Sequence, residues 1–241
     1  MKKDLSVLML LVRNSFWRVI GVILVMLAFD GLRFFMDVDL IKGWSLSLEE
    51  LLDKKRLIVG LWLSVLRMIY VTTSFGSGRA NKEFYTLKRL QVSERRIWLW
   101  QAAHNTGCFF LILSAEILLF VFLIRYYLAN STYQPVSEQT LFLAFYRNRY
   151  LHSLLPMQNL WRWGRNIILI ISFGITSAAE PVANRRGVSA FVVYPLMLLA
   201  ILTFATDMGA WGIDLMVILV ASLLAAYAVY YVWKGEEKHD A

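Results

Sequence analysis

The sequence predicts an all-α fold: a polytopic integral membrane helical bundle of about six transmembrane helices, with both termini cytoplasmic. Two observations lead there. Hydrophobic residues make up 59% of the 241 residues and charged residues only 17%, against about 25% charged in a typical soluble domain. That leaves too little polar surface to cover the chain in water. The apolar residues also fall into six runs that reach or approach the roughly 20 residues a helix needs to cross the hydrocarbon core. None shows the period-two alternation of a membrane β-barrel.

The first span covers about 16–36 and the second about 57–75. The third covers about 97–124. The fourth, about 166–179, is short and reads as a full span or a re-entrant segment. The fifth covers about 188–206 and contains Pro195, where a kink is expected. The sixth covers about 211–233. No cleavable leader is expected, because the first run lacks a small-residue cleavage site. Loop charge then sets the sides. With the N-terminus inside, residues 1–18, 76–96, 180–187 and the tail after Trp233 carry fourteen Lys and Arg, against nine on the other side. An excess of Lys and Arg marks cytoplasmic loops, although Lys54, Lys55 and Arg56 stand on the opposite side. Residues 37–56 interleave Leu46, Leu48, Leu51 and Leu52 with acids, the pattern of a short interfacial helix. Residues 126–165 mix Phe142, Phe145, Tyr146, Tyr150, Trp161 and Trp163 with four arginines, as chain resting where lipid meets water would. This external or interfacial loop reads either as a cap or gate, or as an interfacial helix with no gating role. The whole of 1–241 is one transmembrane domain.

Several chemistries find no support. Cys108 is the single cysteine, so no intrachain disulfide forms, and no Cys/His spacing suits zinc. No G-x-x-x-x-G-K-[ST] is present; Gly76-Ser77-Gly78-Arg79 lacks the Lys-Ser/Thr pair that would complete it, so the chain has no phosphate cradle of its own. Neither G-x-S-x-G nor H-E-x-x-H occurs, and His104, His152 and His239 lie in separate regions. The net charge of +8 fits cytoplasmic anchoring rather than nucleic-acid binding. The chain is expected not to be an enzyme, with no cofactor or metal of its own.

The segment 76–96 between spans two and three carries six basic residues against Glu83 and Glu94. Phe84, Leu87 and Leu90 recur at i, i+3 and i+6, one side of a helix, with Lys82, Lys88 and Arg89 on other faces. Ser93 is placed to N-cap the helix leading into span three. On these residues alone the segment is either a membrane-surface helix held by anionic lipid or a docking helix for a cytoplasmic partner. Tyr85-Thr86-Leu87-Lys88-Arg89-Leu90-Gln91-Val92-Ser93 resembles the T-L-x-R-L-x-V-S signature of ABC-2-type exporter permeases, which sits between the second and third spans of that family. The resemblance implies a six-span permease of the bacterial cytoplasmic membrane. It also implies a separately encoded ABC ATPase, which holds the ATP and Mg, and a second permease subunit, identical or related. The ATPase-coupling residues would be Phe84, Thr86, Leu87, Lys88, Arg89, Leu90 and Ser93. The long loop here lies between spans three and four, whereas the family usually carries its external element between spans five and six.

Ionisable residues within spans are costly, at least about 2.5–3.5 kcal/mol each at the bilayer centre without a partner, and face the bundle interior. Asp30 and Arg33 are one turn apart and able to pair. Arg67 in span two and Glu116 in span three are expected to pair with each other, as a lock between helices or as part of a polar translocation path. Gln101, His104 and Asn105 form a polar patch at the cytoplasmic end of span three, either ordinary interhelical hydrogen-bonders or the lining of an inner vestibule. Gly174, Ser177 and Ala178 in span four, with Ala221 and Ala225 in span six, permit close helix packing. The expected function is the permease subunit of an ATP-driven ABC exporter carrying an amphipathic or hydrophobic substrate. The rivals are a non-transporting membrane regulator or assembly partner that recruits a cytoplasmic protein through the 76–96 loop, and a membrane enzyme acting on lipids.

Overall fold

The computed structural model describes residues 2–40, 58–74, 92–130, 138–155, 160–185, 192–206, 209 and 211–237. Those residues form eight helices and no strand: α1 (Lys2–Leu40), α2 (Ile58–Ser74), α3 (Glu94–Asn130), α4 (Glu138–Arg147), α5 (Arg149–Leu154), α6 (Leu160–Arg185), α7 (Val193–Thr203) and α8 (Trp211–Glu237). Four of them are long and apolar enough to cross a bilayer: Ser6–Met36, Glu94–Asn130, Leu160–Asn184 and Trp211–Lys234. At 1.5 Å per residue, α2 extends about 26 Å and α7 about 16 Å, short of the roughly 30 Å hydrocarbon core.

Side-chain pairings give the helix directions. Ser15 meets His104 and Phe34 meets Tyr127, so α1 and α3 run parallel. Asn105 meets Ser177, and Phe109 meets Phe173, so α6 returns against α3. Trp161 faces Trp211 and Arg165 faces Asp214, so α8 runs beside α6 in the same sense. The start of α1 and the end of α8 therefore gather at one end of the bundle, here the base. There Val7 and Leu11 pack on Ile97, and the Arg95 guanidinium lies over the Trp233 ring. The opposite end, the crown, carries α4, α5 and the start of α6.

α6 is the central element and packs most extensively on α8 and α3. It is also the least apolar of the four long helices, yet 78% of its most apolar stretch is buried, against 28% for α1 and for α8. Its polar residues, Arg162, Arg165, Asn166, Ser172, Thr176, Ser177 and Glu180, are buried in protein. This overturns the expectation of a short fourth segment at 166–179. The helix runs to 26 residues, and its arginines and Glu180 lower the apolar signal at both ends without ending the helix. Trp161, Arg162, Trp163 and Arg165 therefore belong to α6 rather than to the external loop.

The rest of that loop is helical where described. Asn148 caps α5, its side-chain oxygen accepting from the amides of Tyr150 and Leu151 at 3.0 and 3.1 Å. Tyr150, Leu151 and Leu154 are buried in the main core, so α5 seals the crown. Pro195 falls in the first turn of α7, where a missing amide hydrogen costs nothing, so it starts that helix instead of kinking it. The interfacial helix expected within 37–56 lies outside the described residues, except that α1 continues to Leu40.

Close approach of α3 and α6 depends on Gly174. A Cβ there would collide with Thr106, backbone included, so no small side-chain movement makes room. Gly107, one residue further along α3, has open space where its Cβ would be. Gly174→Val is expected to lower stability by about 1–3 kcal/mol through overpacking, and Gly107→Ala to raise it by about 0.5–1 kcal/mol through helix propensity. Thermal unfolding in mild detergent, followed by far-UV circular dichroism, reads the opposite signs.

Candidate functional site

The bundle interior holds two polar centres near the crown, and each follows from a rule about buried groups. The first is built on a helix end. α7 is short, and the carbonyls of Phe204, Ala205 and Thr206 beyond its last turn have no helical partner. In an apolar bundle such groups need donors from protein. The start of α6 supplies them. Arg165 Nη2 donates to the carbonyls of Phe204 at 3.2 Å and Thr206 at 3.3 Å. Arg162 Nη2 donates to Ala205 at 2.8 Å. Asn166 Nδ2 donates to Phe204 at 3.2 Å and to Ser153 at 3.0 Å, which ties in α5.

The charge that this places inside the protein is met by α8. Arg165 Nη1 donates to Asp214 Oδ1 at 2.5 Å, and both residues are buried. Asp214 lies in the first turn of α8, where the helix dipole favours an anion. One guanidinium thus joins the ends of α6, α7 and α8.

The second centre is acidic. Glu116 in α3 and Asp30 in α1 are both fully buried and near enough to interact electrostatically. Tyr150 Oη donates to Glu116 Oε1 at 2.7 Å. Burial first, and then the Glu116 and Asp30 charges, hold the Tyr150 phenol well above its ordinary range, so it remains the donor. The other Glu116 oxygen and both Asp30 oxygens make no hydrogen bond, an expensive state for buried acceptors. The Asp30 carboxylate lies against Gly60 of α2, occupying the place a Cβ would take. Among the described residues no group of three or more His, Cys, Asp or Glu is arranged to hold a metal ion.

One expected pairing is corrected and a second is weaker than a hydrogen-bonded pair. Arg67 and Glu116 do not meet. Arg67 is exposed, on the outward face of α2 with Leu63, Leu66 and Tyr70, and its guanidinium lies over the Tyr70 ring at 5.2 Å. It is also at the wrong depth: Gly60 marks the level of Asp30, and seven residues of helix place Arg67 about 10 Å nearer the base. Asp30 feels the Arg33 charge but makes no hydrogen bond to it, and the Arg33 guanidinium lies over Phe29 at 4.6 Å.

The polar patch on α3 divides between two neighbours. Asn105 Nδ2 donates to Ser177 Oγ of α6 at 3.0 Å. His104 Nε2 is 2.8 Å from Ser15 Oγ of α1 and 3.6 Å from Cys108 Sγ. Gln101 is buried, with its amide nitrogen unbonded. His104 and Asn105 therefore act as interhelical links on different faces. Ser93 stands where the N-cap is expected, its carbonyl accepting from Arg96 at 3.1 Å and Ile97 at 3.2 Å. Phe84, Thr86, Leu87, Lys88, Arg89 and Leu90 lie outside the described residues.

Sequence reasoning missed Arg165, Asn166 and Tyr150. The available signals were Arg162 and Arg165 at i, i+3 opening an apolar helix, with Asp214 opening another, and Asn148 as a cap ahead of Tyr150. No family model, curated protein or solved structure matches the chain.

Arg165→Gln and Asp214→Asn are each expected to destabilise the bundle by about 3–5 kcal/mol, because each strands the buried partner charge. The double variant Arg165→Met/Asp214→Leu should lose clearly less than the two single losses combined. Chemical unfolding in detergent measures all three. Tyr150→Phe keeps the ring against Phe120 but removes the donor to Glu116, and should cost about 1–3 kcal/mol in the same assay.

Proposed function

We propose that this chain is the six-span permease subunit of an ATP-driven ABC-2-type exporter, with both termini in the cytoplasm and the base of the bundle facing it. Its partners are a separately encoded ABC ATPase, which binds ATP and Mg, and a second permease subunit. The cargo is amphipathic or hydrophobic. The reading rests on the likeness of residues 86–93 to the family signature and on where that segment is attached. It links Ser74 at the end of α2 to Glu94 at the start of α3, both at the base. A displacement of the segment by an ATPase would act directly on two helix ends.

α3 carries such a displacement inward. It runs 37 residues from the coupling segment and touches α1 through His104, α6 through Asn105 and α5 through Glu116. The membrane regulator or assembly partner remains the alternative, and it uses the same loop without transport.

The test is a mild-detergent pull-down of the full chain expressed beside its genomic neighbours. Wild type is expected to capture an ATPase subunit. Leu87→Asp and Leu90→Asp should each weaken capture on the order of tenfold or more, as loss of a buried interface anchor does. If wild type captures no ATPase, the exporter reading falls and the regulator takes its place.

A further inference from the structure

Between α1 and α2, on the outside of the bundle, lies an open groove of about 790 Å³. Its walls carry Arg18, Gly21, Val25, Leu63, Arg67 and Tyr70. The two arginines are exposed, and among the described residues neither has a carboxylate partner. Arg67 stands seven residues from the end of α2, hence about 10 Å along its axis from Ser74, where an unpaired cation facing lipid is costly. Its guanidinium is turned toward Tyr70, that is, toward the base. Arg18 lines the same groove near its base end, on the antiparallel neighbour α1. Deeper toward the crown the walls are Val22, Val25, Leu63 and Ser64. Gly21 leaves the α1 side open, since nothing lies within 4 Å of where its Cβ would be.

The charge and the shape together describe one kind of occupant. Two cations, Arg18 near the base end and Arg67 turned toward it, suit a phosphate, which guanidinium groups bind in bidentate fashion. A mainly apolar channel below them, open to the bilayer, suits an acyl chain. We infer that the α1–α2 groove is a binding site for an anionic phospholipid, its phosphate between Arg18 and Arg67 in the space that Gly21 leaves, and one acyl chain running deeper along Val25 and Leu63. Basic pockets between membrane helices are a recognised mode of anionic lipid capture. The inference does not depend on the exporter reading, because no ATPase enters it.

Native mass spectrometry of the purified full chain, with dioleoylphosphatidylglycerol or dioleoylphosphatidylcholine added to the detergent, tests it. Wild type should retain the phosphatidylglycerol with about tenfold preference. Arg18→Gln and Arg67→Gln should each reduce its retention about fivefold, the effect of one basic residue near a membrane surface. Gly21→Leu should block the groove and abolish the adduct, while circular dichroism and elution volume stay unchanged. Arg125→Gln, an exposed cation at the crown, should change nothing. Equal retention of the two lipids overturns the site, as does phosphatidylglycerol retention unaffected by the groove variants. Displacement by inorganic phosphate at millimolar concentration also overturns it, in favour of a soluble anion. A dimer lost in Gly21→Leu without any lipid adduct in wild type overturns it in favour of a second copy of the chain.

Discussion

A helix that stops inside an apolar bundle leaves backbone carbonyls with no water to accept from, and the crown of this protein is arranged around that problem. The carbonyls after α7 are met by Arg162, Arg165 and Asn166. Those donors fix how far α6 reaches, because its first turn must stand level with the end of α7. The Arg165 charge then requires Asp214, which sets the starting point of α8. Asn166 also holds the Ser153 carbonyl, so the position of α5, and with it Tyr150 over Glu116, follows from the same helix end.

This arrangement accounts for the inverted character of α6. A helix facing lipid presents apolar side chains outward. One surrounded by other helices can carry Ser, Thr, Asn and Arg, provided each finds a partner. Ser172 accepts through its carbonyl from Thr176 at 2.7 Å, Ser177 accepts from Asn105, and Gly174 admits the α3 backbone. By contrast α1 and α8 are the outer helices. Leu24, Val25 and Leu32 on α1, and Met216, Leu219 and Leu223 on α8, are exposed, as side chains solvated by lipid are.

Much of this was legible in the sequence, for a physical reason. A run of apolar residues long enough to span lipid is a property of the chain itself, so α1, α3 and α8 fall where composition placed them, whereas α2 and α7 are apolar helices shorter than the spans expected there. α6 was read short because its ends are polar, and whether a polar end belongs to the helix depends on partners elsewhere. Arg165 counts as a loop charge until Asp214 is known to face it. The Arg67–Glu116 pairing failed for the same reason. Adjacency of two spans says nothing about depth or facing, and here Arg67 looks outward nearer the base while Glu116 looks inward beneath α5. The close packing expected of Gly174 came through because a missing side chain acts locally.

The separation of Arg165 from Asp214 by 49 residues bears on biogenesis. The chain is made from the N-terminus, so α6 emerges before the carboxylate that neutralises it and before the carbonyls that its arginines hold. At a synthesis rate of about 5–20 residues per second, Arg165 waits roughly 2–10 s for Asp214. During that interval the most polar of the long helices has no counter-charge in lipid. Its burial is therefore completed only when α8 arrives and the last three helices pack as one unit.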